Sequence, residues 1–507
     1  MPTPPDVPLP TPESAAQLRD RLDHALVRGI AWTAVVKWCS QILAWATTLI
    51  VARILTPDDY GLVALGTIYM GAVTLLTEFG LGSAIVMLRE LGPSQVAQIG
   101  GFAWIAGFAG FLLSLAAAFP LGAFFDAPAL SAVIIVMSIT FLVSAPRVVP
   151  QSLLQKEMRF RAVSLIDALQ SLAQSIGMVV FAVLGFRYWA LVIGALLGHA
   201  IASAVTIVVR PHRVNWPRRA SVGAALSFSR DMAIARISWY AYSRADFFVA
   251  GKWLGQARLG EYSMAWSLAS VPVDKITSMV NRVTPSFFAV VKDDPAALRR
   301  YLLMITEMLA LVTFPLAFGL ALVAEPFVLT TLTAKWAASI TPLRVLAIYA
   351  ALTSITALFS PLLAATGELR FTMWNNILAA IVLPIGFLIG TRWGVDGIAM
   401  AWVILHTPFL VAQYRRVSAH IQLPASQVWR SLVPALSGST AMAVVVLATW
   451  SVLGPTLEGV WLLLGLVAAG GLGYCLPLAL WHRHRIERLR KAFRLLRQGT
   501  APAQAAP

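Results

Sequence analysis

Apolar runs long enough to cross a bilayer follow one another almost from end to end of this chain, separated by short loops. A spanning helix needs about 20 mostly apolar residues. Such runs fall near 29–52, 61–87, 97–120, 129–154, 163–185, 188–209, 223–250, 261–287, 300–324, 341–364, 371–391, 394–414, 431–453 and 460–481, with 223–250 and 261–287 the richest in polar residues. In hydrocarbon each backbone N–H and C=O needs a partner within the protein, which makes these segments helices. Only 12% of the 507 residues are charged and 58% are hydrophobic, with mean hydropathy +0.75. Soluble chains carry roughly 25% charged residues, so this one has too few charges to coat a surface in water. The expected fold is an all-α integral membrane protein of about fourteen transmembrane helices, with no room for a large aqueous domain.

The net charge of +16 would suggest nucleic acid in a soluble protein. Here the bases sit mostly in the short loops, where they set orientation. An even number of spans puts both ends on one side. With that side inside, 25 of the 31 loop lysines and arginines face inward. This is a strong positive-inside bias, so both termini are expected in the cytoplasm and no nucleic-acid partner is expected. Reporter fusions after Arg161 and Arg219 should therefore read inside, and one after Lys335 should read outside; the reverse pattern would overturn the orientation.

The two cysteines, Cys39 and Cys475, both lie in apolar runs and form neither a disulfide framework nor a metal spacing. Residues 1–27 are Pro-rich and mixed in charge, and predict a disordered cytoplasmic tail rather than a signal peptide. Residues 482–507 predict a basic amphipathic helix, with Ile486, Leu489, Phe493 and Leu496 on one face, and then a disordered tail. Leu55-Thr-Pro-Asp-Asp-Tyr-Gly61 after the first span and Leu254-Gly-Gln-Ala-Arg-Leu-Gly260 after the seventh correspond, and the same offset pairs Arg53 with Lys252 and Lys37 with Arg236. Two six-helix lobes are implied, 28–209 and 223–416, joined by a cytoplasmic linker at 210–222. They would be related by a pseudo-two-fold axis along the membrane normal, with two C-terminal helices at 430–481. Transporters of this plan carry substrate at the repeat interface and alternate access by rocking.

Ionisable groups inside spans are costly and usually face a protein interior or a hydrated cavity. Lys37 and Gln41 share a face of span one. Arg147 and Gln151 belong to a polar stripe in span four, and Asp167, Gln170, Ser171 and Gln174 to one in span five. Arg236 and Tyr240 line up in span seven, as do Lys275 and Arg282 in span eight. Lys37, Arg147, Arg236, Lys275 and Arg282 are the candidate substrate-binding cations, with Gln41, Gln151, Gln174 and Tyr240 as polar cavity groups. A structural ion pair is the competing reading for Lys37, Arg147 and Arg236. Glu78, Asp167 and Asp246 are candidates for ion coupling, with helix-packing contacts as the competing reading of each. A lumen with more fixed positive than negative charge suits an anionic, phosphate-bearing head group. No cofactor is expected.

Arg28-Gly-Ile-Ala-Trp, Ala52-Arg-Ile-Leu-Thr-Pro-Asp-Asp-Tyr-Gly61 and Glu78-Phe-Gly-Leu-Gly-Ser-Ala84 resemble the first hairpin of the polysaccharide-transport branch of the multidrug/oligosaccharidyl-lipid/polysaccharide exporter superfamily. Pro146-Arg-Val-Val-Pro150 through Arg161, Leu184-Gly-Phe-Arg-Tyr-Trp-Ala-Leu191 and Asp246 through Tyr262 resemble its fourth, sixth, seventh and eighth spans. The resemblance implies a flippase in the bacterial inner membrane. It would move undecaprenyl-diphosphate-linked oligosaccharide toward capsule, exopolysaccharide or lipopolysaccharide O-antigen assembly, alongside a polysaccharide polymerase and export machinery. Peptidoglycan-precursor flippases and multidrug/cation antiporters of the same superfamily are the alternatives; an antiporter would need acids to dominate the cavity. An enzyme is not expected, because the loops are short and no HExxH, P-loop or Asp-x-Asp motif occurs. Asp58-Asp59 and Asp293-Asp294 read as turn and capping acids.

Overall fold

The computed structural model describes residues 36–217 and 240–481, apart from 79–81, 83–84, 87–90, 241 and 282–283. The expected tail 1–27, the basic segment from 482 and most of the seventh span lie outside the described residues. So do Arg236, Arg282 and the side chain of Glu78.

The protein is all-α and integral to the membrane. In chain order its helices are α1 (36–54), α2 (Pro57–Glu78), α3 (Pro93–Phe124), α4 (Pro128–Ser144), α5 (Val148–Lys156), α6 (Phe160–Val183), α7 (Tyr188–Val209), α8 (Ala245–Trp253), α9 (Gln256–Asn281), α10 (Thr284–Val290), α11 (Pro295–Thr331), α12 (Ile340–Thr356), α13 (Phe359–Ala365), α14 (Leu369–Gly390), α15 (Gly394–Ile421), α16 (Ala425–Leu453) and α17 (Gly459–Trp481). Among the described residues, ten helical stretches are long and apolar enough to cross a membrane. One of them, 370–421, is two spans, α14 and α15, joined by the short turn Thr391–Trp393. The other expected spans are α1, the partly described seventh and the polar α9. Large apolar side chains such as Val183, Val208 and Leu480 stay exposed on the outer faces, where acyl chains are their solvent.

Local chemistry explains the helix starts. Pro57, Pro93, Pro128 and Pro295 each open a helix, where the missing N–H costs nothing. Asp59 Oδ2 accepts from Thr56 N at 3.0 Å and Thr56 Oγ1 at 2.8 Å, capping α2. Asp294 Oδ1 accepts from Ala296 N at 3.0 Å and Ala297 N at 2.9 Å, capping α11. Both acid pairs therefore have the structural roles their spacing suggested. The expected continuous span 129–154 is instead broken. The 3₁₀ turn Ala145–Arg147 separates α4 from α5, because Pro146 and Pro150 cannot donate to the helical ladder.

Among the described residues the chain divides into two compact units. One is drawn from Met1–Ile54, Tyr69–Leu121 and Ser131–Ala235, the other from Leu55–Ile68, Gly122–Leu130 and Arg236–Pro507. These do not coincide with the halves 28–209 and 223–416, because two segments of the first half, 55–68 with the start of α2 and 122–130, belong to the second unit. The physical reasons are specific. Lys252 Nζ donates to Phe124 O at 2.5 Å and pairs with Asp126 at 3.0 Å. The Tyr60 ring meets the fully buried Trp336 edge-on at 5.3 Å. Inside this unit the starts of α2 and α9 cross so closely that a Cβ on Gly61 would overlap the Gln256 carbonyl, and one on Gly260 would overlap the Pro57 carbonyl. The repeat offset that pairs Gly61 with Gly260 also pairs Pro57 with Gln256, so the contact is reciprocal.

In the first unit the linker begins as a strap along α3. Asn215 N donates to Ala97 O at 3.0 Å, and the His212 ring packs over Gly100, where burial pushes the imidazole below its usual pKa. In the second unit α16 and α17 dock on α11. Pro315 removes the N–H that would bond the Leu311 carbonyl one turn earlier, and Tyr474 Oη of α17 donates to that carbonyl at 2.8 Å. The Tyr474 ring lies against Gly438 of α16. Tyr474→Phe should cost about 0.6–1.7 kcal/mol, the range of single interhelical hydrogen bonds in membranes. Thermal unfolding of the purified variant is the check.

Candidate functional site

In the first unit, the break in the fourth span decides where Arg147 points. The 3₁₀ turn carries it into the bundle, where it is 8% exposed. Its Nη1 donates to Gln170 Oε1 at 2.7 Å and its Nη2 to Asp167 Oδ1 at 3.4 Å. Asp167, Gln170 and Ser171 stand at helical spacing on one face of α6, so the stripe read from the sequence is a single binding face. Ser171 Oγ donates to Ser40 O at 3.4 Å, which ties that face to α1. Lys37, exposed near the described start of α1, acts electrostatically on Asp167, and His199 of α7 lies in the field of Arg147. The cluster thus sets Arg147 in contact with one carboxylate, with Lys37 acting on the same acid at longer range and His199 in the field of Arg147. Gln41, Gln151 and Gln174 are partly buried on α1, α5 and α6.

The sequence leaves Arg147 either a cavity cation or half of a structural ion pair. The structure gives it a carboxylate at 3.4 Å and leaves its side chain 10% exposed, while Asp167 is 42% exposed. The acid is the more exposed partner of the pair. The charge balance remains positive, because Lys37 adds a second cation to the same acid. His199 and Ser40 were missed; a histidine within an apolar run was the available signal.

The second unit holds a different arrangement. Asp246 of α8 is wholly buried. Its Oδ2 accepts from Tyr262 Oη at 2.6 Å and Trp402 Nε1 at 3.0 Å, while Oδ1 has no hydrogen-bond partner among the described residues. Tyr349 Oη and His406 Nδ1 lie 2.8 Å apart beside it, and the Trp266, Tyr349 and Trp402 rings pack at 5.2 to 6.3 Å. A buried carboxylate with one bare oxygen is satisfied by a proton or a cation. Trp402 and His406, one helical turn apart on α15, were the unread sequence signal.

The other expected site residues do not join either cluster. Tyr240 Oη donates to Ile68 O at 2.8 Å, and Lys275 is exposed beside Asp274 on α9, both within the second unit. Arg236 and Arg282 lie outside the described residues. Among the described residues no group of three or more His, Cys, Asp or Glu is arranged to hold a metal ion.

Residues 50–341 match the family described as polysaccharide biosynthesis protein, which is more than half of the chain. The chain belongs to this family. Lipopolysaccharide biosynthesis protein WzxC of Escherichia coli (strain K12) is 24% identical over 80% of this chain and 85% of its own length. Succinoglycan biosynthesis transport protein ExoT of Rhizobium meliloti (strain 1021) is 25% identical over 75% of this chain and 77% of its own. Among solved structures, lipid II flippase MurJ in an inward closed conformation matches with TM-score 0.66 at 14% identity, over 90% of this chain and 99% of that one. An inward-facing multidrug resistance MATE family transporter of the MOP superfamily matches with TM-score 0.59 at 18% identity, over 76% and 96%. At such identities the two structures speak to the fold. By its family and its apolar spanning helices, the protein is a multi-pass membrane protein of polysaccharide biosynthesis.

Proposed function

We propose that the protein flips polyprenyl-diphosphate-linked oligosaccharide from the inner to the outer leaflet of a bacterial inner membrane, by alternating access through a cationic cavity. The observation that carries this reading is the cluster on α1, the broken fourth span and α6. Arg147 pairs with Asp167, on which Lys37 also acts electrostatically, in a bundle whose outer faces are apolar. A diphosphate cannot enter hydrocarbon bare. An Arg fork held by neutral Gln170 and a Lys point charge would replace its hydration, while the prenyl tail stays in lipid. The names of WzxC and ExoT support a polysaccharide precursor as cargo. Arg236 is proposed as the second-half counterpart of Lys37, from their repeat-equivalent positions.

Coupling is proposed at Asp246 and Asp167, two carboxylates in different units with different exposure. Polysaccharide polymerase and export machinery are the proposed partners downstream. The test is a deletion strain complemented with this chain. It should accumulate surface polysaccharide when complemented and lipid-linked repeat units on the inner leaflet when not. Normal surface polysaccharide in the deletion strain would sink the reading.

A further inference from the structure

The second unit carries a groove of about 520 Å³ between α11, α12 and α16. Its walls are mainly apolar, with Phe318, Leu447 and Trp450 among them, and Ile348 and Leu447 on its rim are exposed. Two features separate it from an ordinary crease between helices. Arg344 lines it and pairs through Nη2 with Glu325 Oε2 at 3.0 Å, with both side chains partly exposed. Ser439, also lining it, is 5% exposed and has a hydroxyl without a hydrogen-bond partner among the described residues. A groove of about 460 Å³ between α6 and α7 in the first unit has neither; its lining residues are all apolar.

The position of the charges is informative. Glu325 and Arg344 flank the turn between α11 and α12, at the end of these helices that the loop cations assign to the outside. A charged pair there sits at head-group level, and Trp450 is the kind of side chain that prefers that level. The pair offers a cation and an anion side by side. A zwitterionic head group presents the reverse pattern: its phosphate matches the guanidinium and its primary ammonium can donate to the carboxylate. We propose that this groove binds one amine-bearing zwitterionic glycerophospholipid, with its phosphate on Arg344, its ammonium on Glu325 and an acyl chain along α11 and α16.

The test uses the full chain, purified in mild detergent and offered equal amounts of phosphatidylethanolamine, phosphatidylcholine and phosphatidylglycerol with identical acyl chains. Retained lipid is counted by native mass spectrometry. Phosphatidylethanolamine should be retained roughly tenfold over the other two, the scale of one charge-assisted hydrogen bond. Glu325→Gln should abolish the preference over phosphatidylcholine, whose quaternary ammonium cannot donate. Arg344→Gln should lower retention of all three, and Ala443→Phe should exclude lipid by filling the groove. Leu172→Trp in the α6/α7 groove should leave the selectivity unchanged. Equal retention of the three lipids by the wild type overturns the proposal, and so does selectivity that survives Glu325→Gln. The Glu325 side chain is 47% exposed, so Glu325→Gln should reach wild-type abundance, checked by blot. Retention of a polyprenyl phosphate in place of a glycerophospholipid would overturn it as well.

Discussion

Gly260→Leu should remove transport and most of the protein from the membrane. A Cβ at Gly260 would already overlap the Pro57 carbonyl oxygen, and the obstacle is backbone rather than a flexible side chain. Two helices can approach this closely only where neither presents a side chain, which is why small residues concentrate at such crossings in membranes. Inserting atoms into a packed contact costs about 1–3 kcal/mol and sometimes more; here the starts of both α2 and α9 must move. Because the crossing is reciprocal, Gly61→Leu should do the same by meeting the Gln256 carbonyl. Gly61→Ala and Gly260→Ala should be milder in degree and alike in kind. The measurement is membrane abundance by blot together with thermal unfolding in detergent. Wild-type abundance and stability in both leucine variants would show that the crossing is not needed.

Arg147→Ala should reduce polysaccharide export to below about a tenth of wild type at matched membrane abundance. The guanidinium is the buried partner of a half-exposed acid, so its loss leaves Asp167 facing Lys37 alone. Removing one partner of a fully buried pair costs about 3–5 kcal/mol. The exposure of Asp167 reduces that cost, so abundance should fall less than export. Arg147→Lys keeps the charge and loses the fork that reaches Gln170 and Asp167 together, and should fall between. The double variant Arg147→Ala with Asp167→Ala separates two roles of the pair. If the pair only holds helices together, removing both charges restores export; if the cation serves the cargo, export stays low although abundance recovers. Lys37→Ala should lower export without loss of protein, because Lys37 is exposed. Wild-type export by all of these variants would make the cluster structural.

The residues differ in how much of their role could be read along the chain. Asp59 and Asp294 were legible as capping acids because a cap and its donors lie within one turn. The break before Arg147 was also local, written in Pro146 and Pro150, although a reading based on hydropathy ran a helix straight through it. The face formed by Asp167, Gln170 and Ser171 was legible because helical spacing fixes it. That Gln170 and Asp167 divide the two ends of one guanidinium was not, because it depends on where α6 stands beside the fourth span.

The sequence by itself determined that the bilayer is the solvent of this chain and that its apolar runs are spanning helices, and its loop cations carry the expectation of one basic side. These follow from composition and period, which each segment carries alone. It also determined the repeat that pairs Gly61 with Gly260. Only the tertiary structure decided that these two glycines meet, that the segments 55–68 and 122–130 belong to the second unit, and that Tyr474 fills the bond Pro315 leaves open. The same holds for Asp246, a polar residue on a short helix until Tyr262 and Trp402 close around it from α9 and α15. Hydrophobic pattern tells a membrane helix how deep it lies but is nearly blind to its neighbours, because lipid and protein faces are equally apolar. Partner choice rests on close packing and single hydrogen bonds between residues distant in the chain, and those exist only once the helices have met.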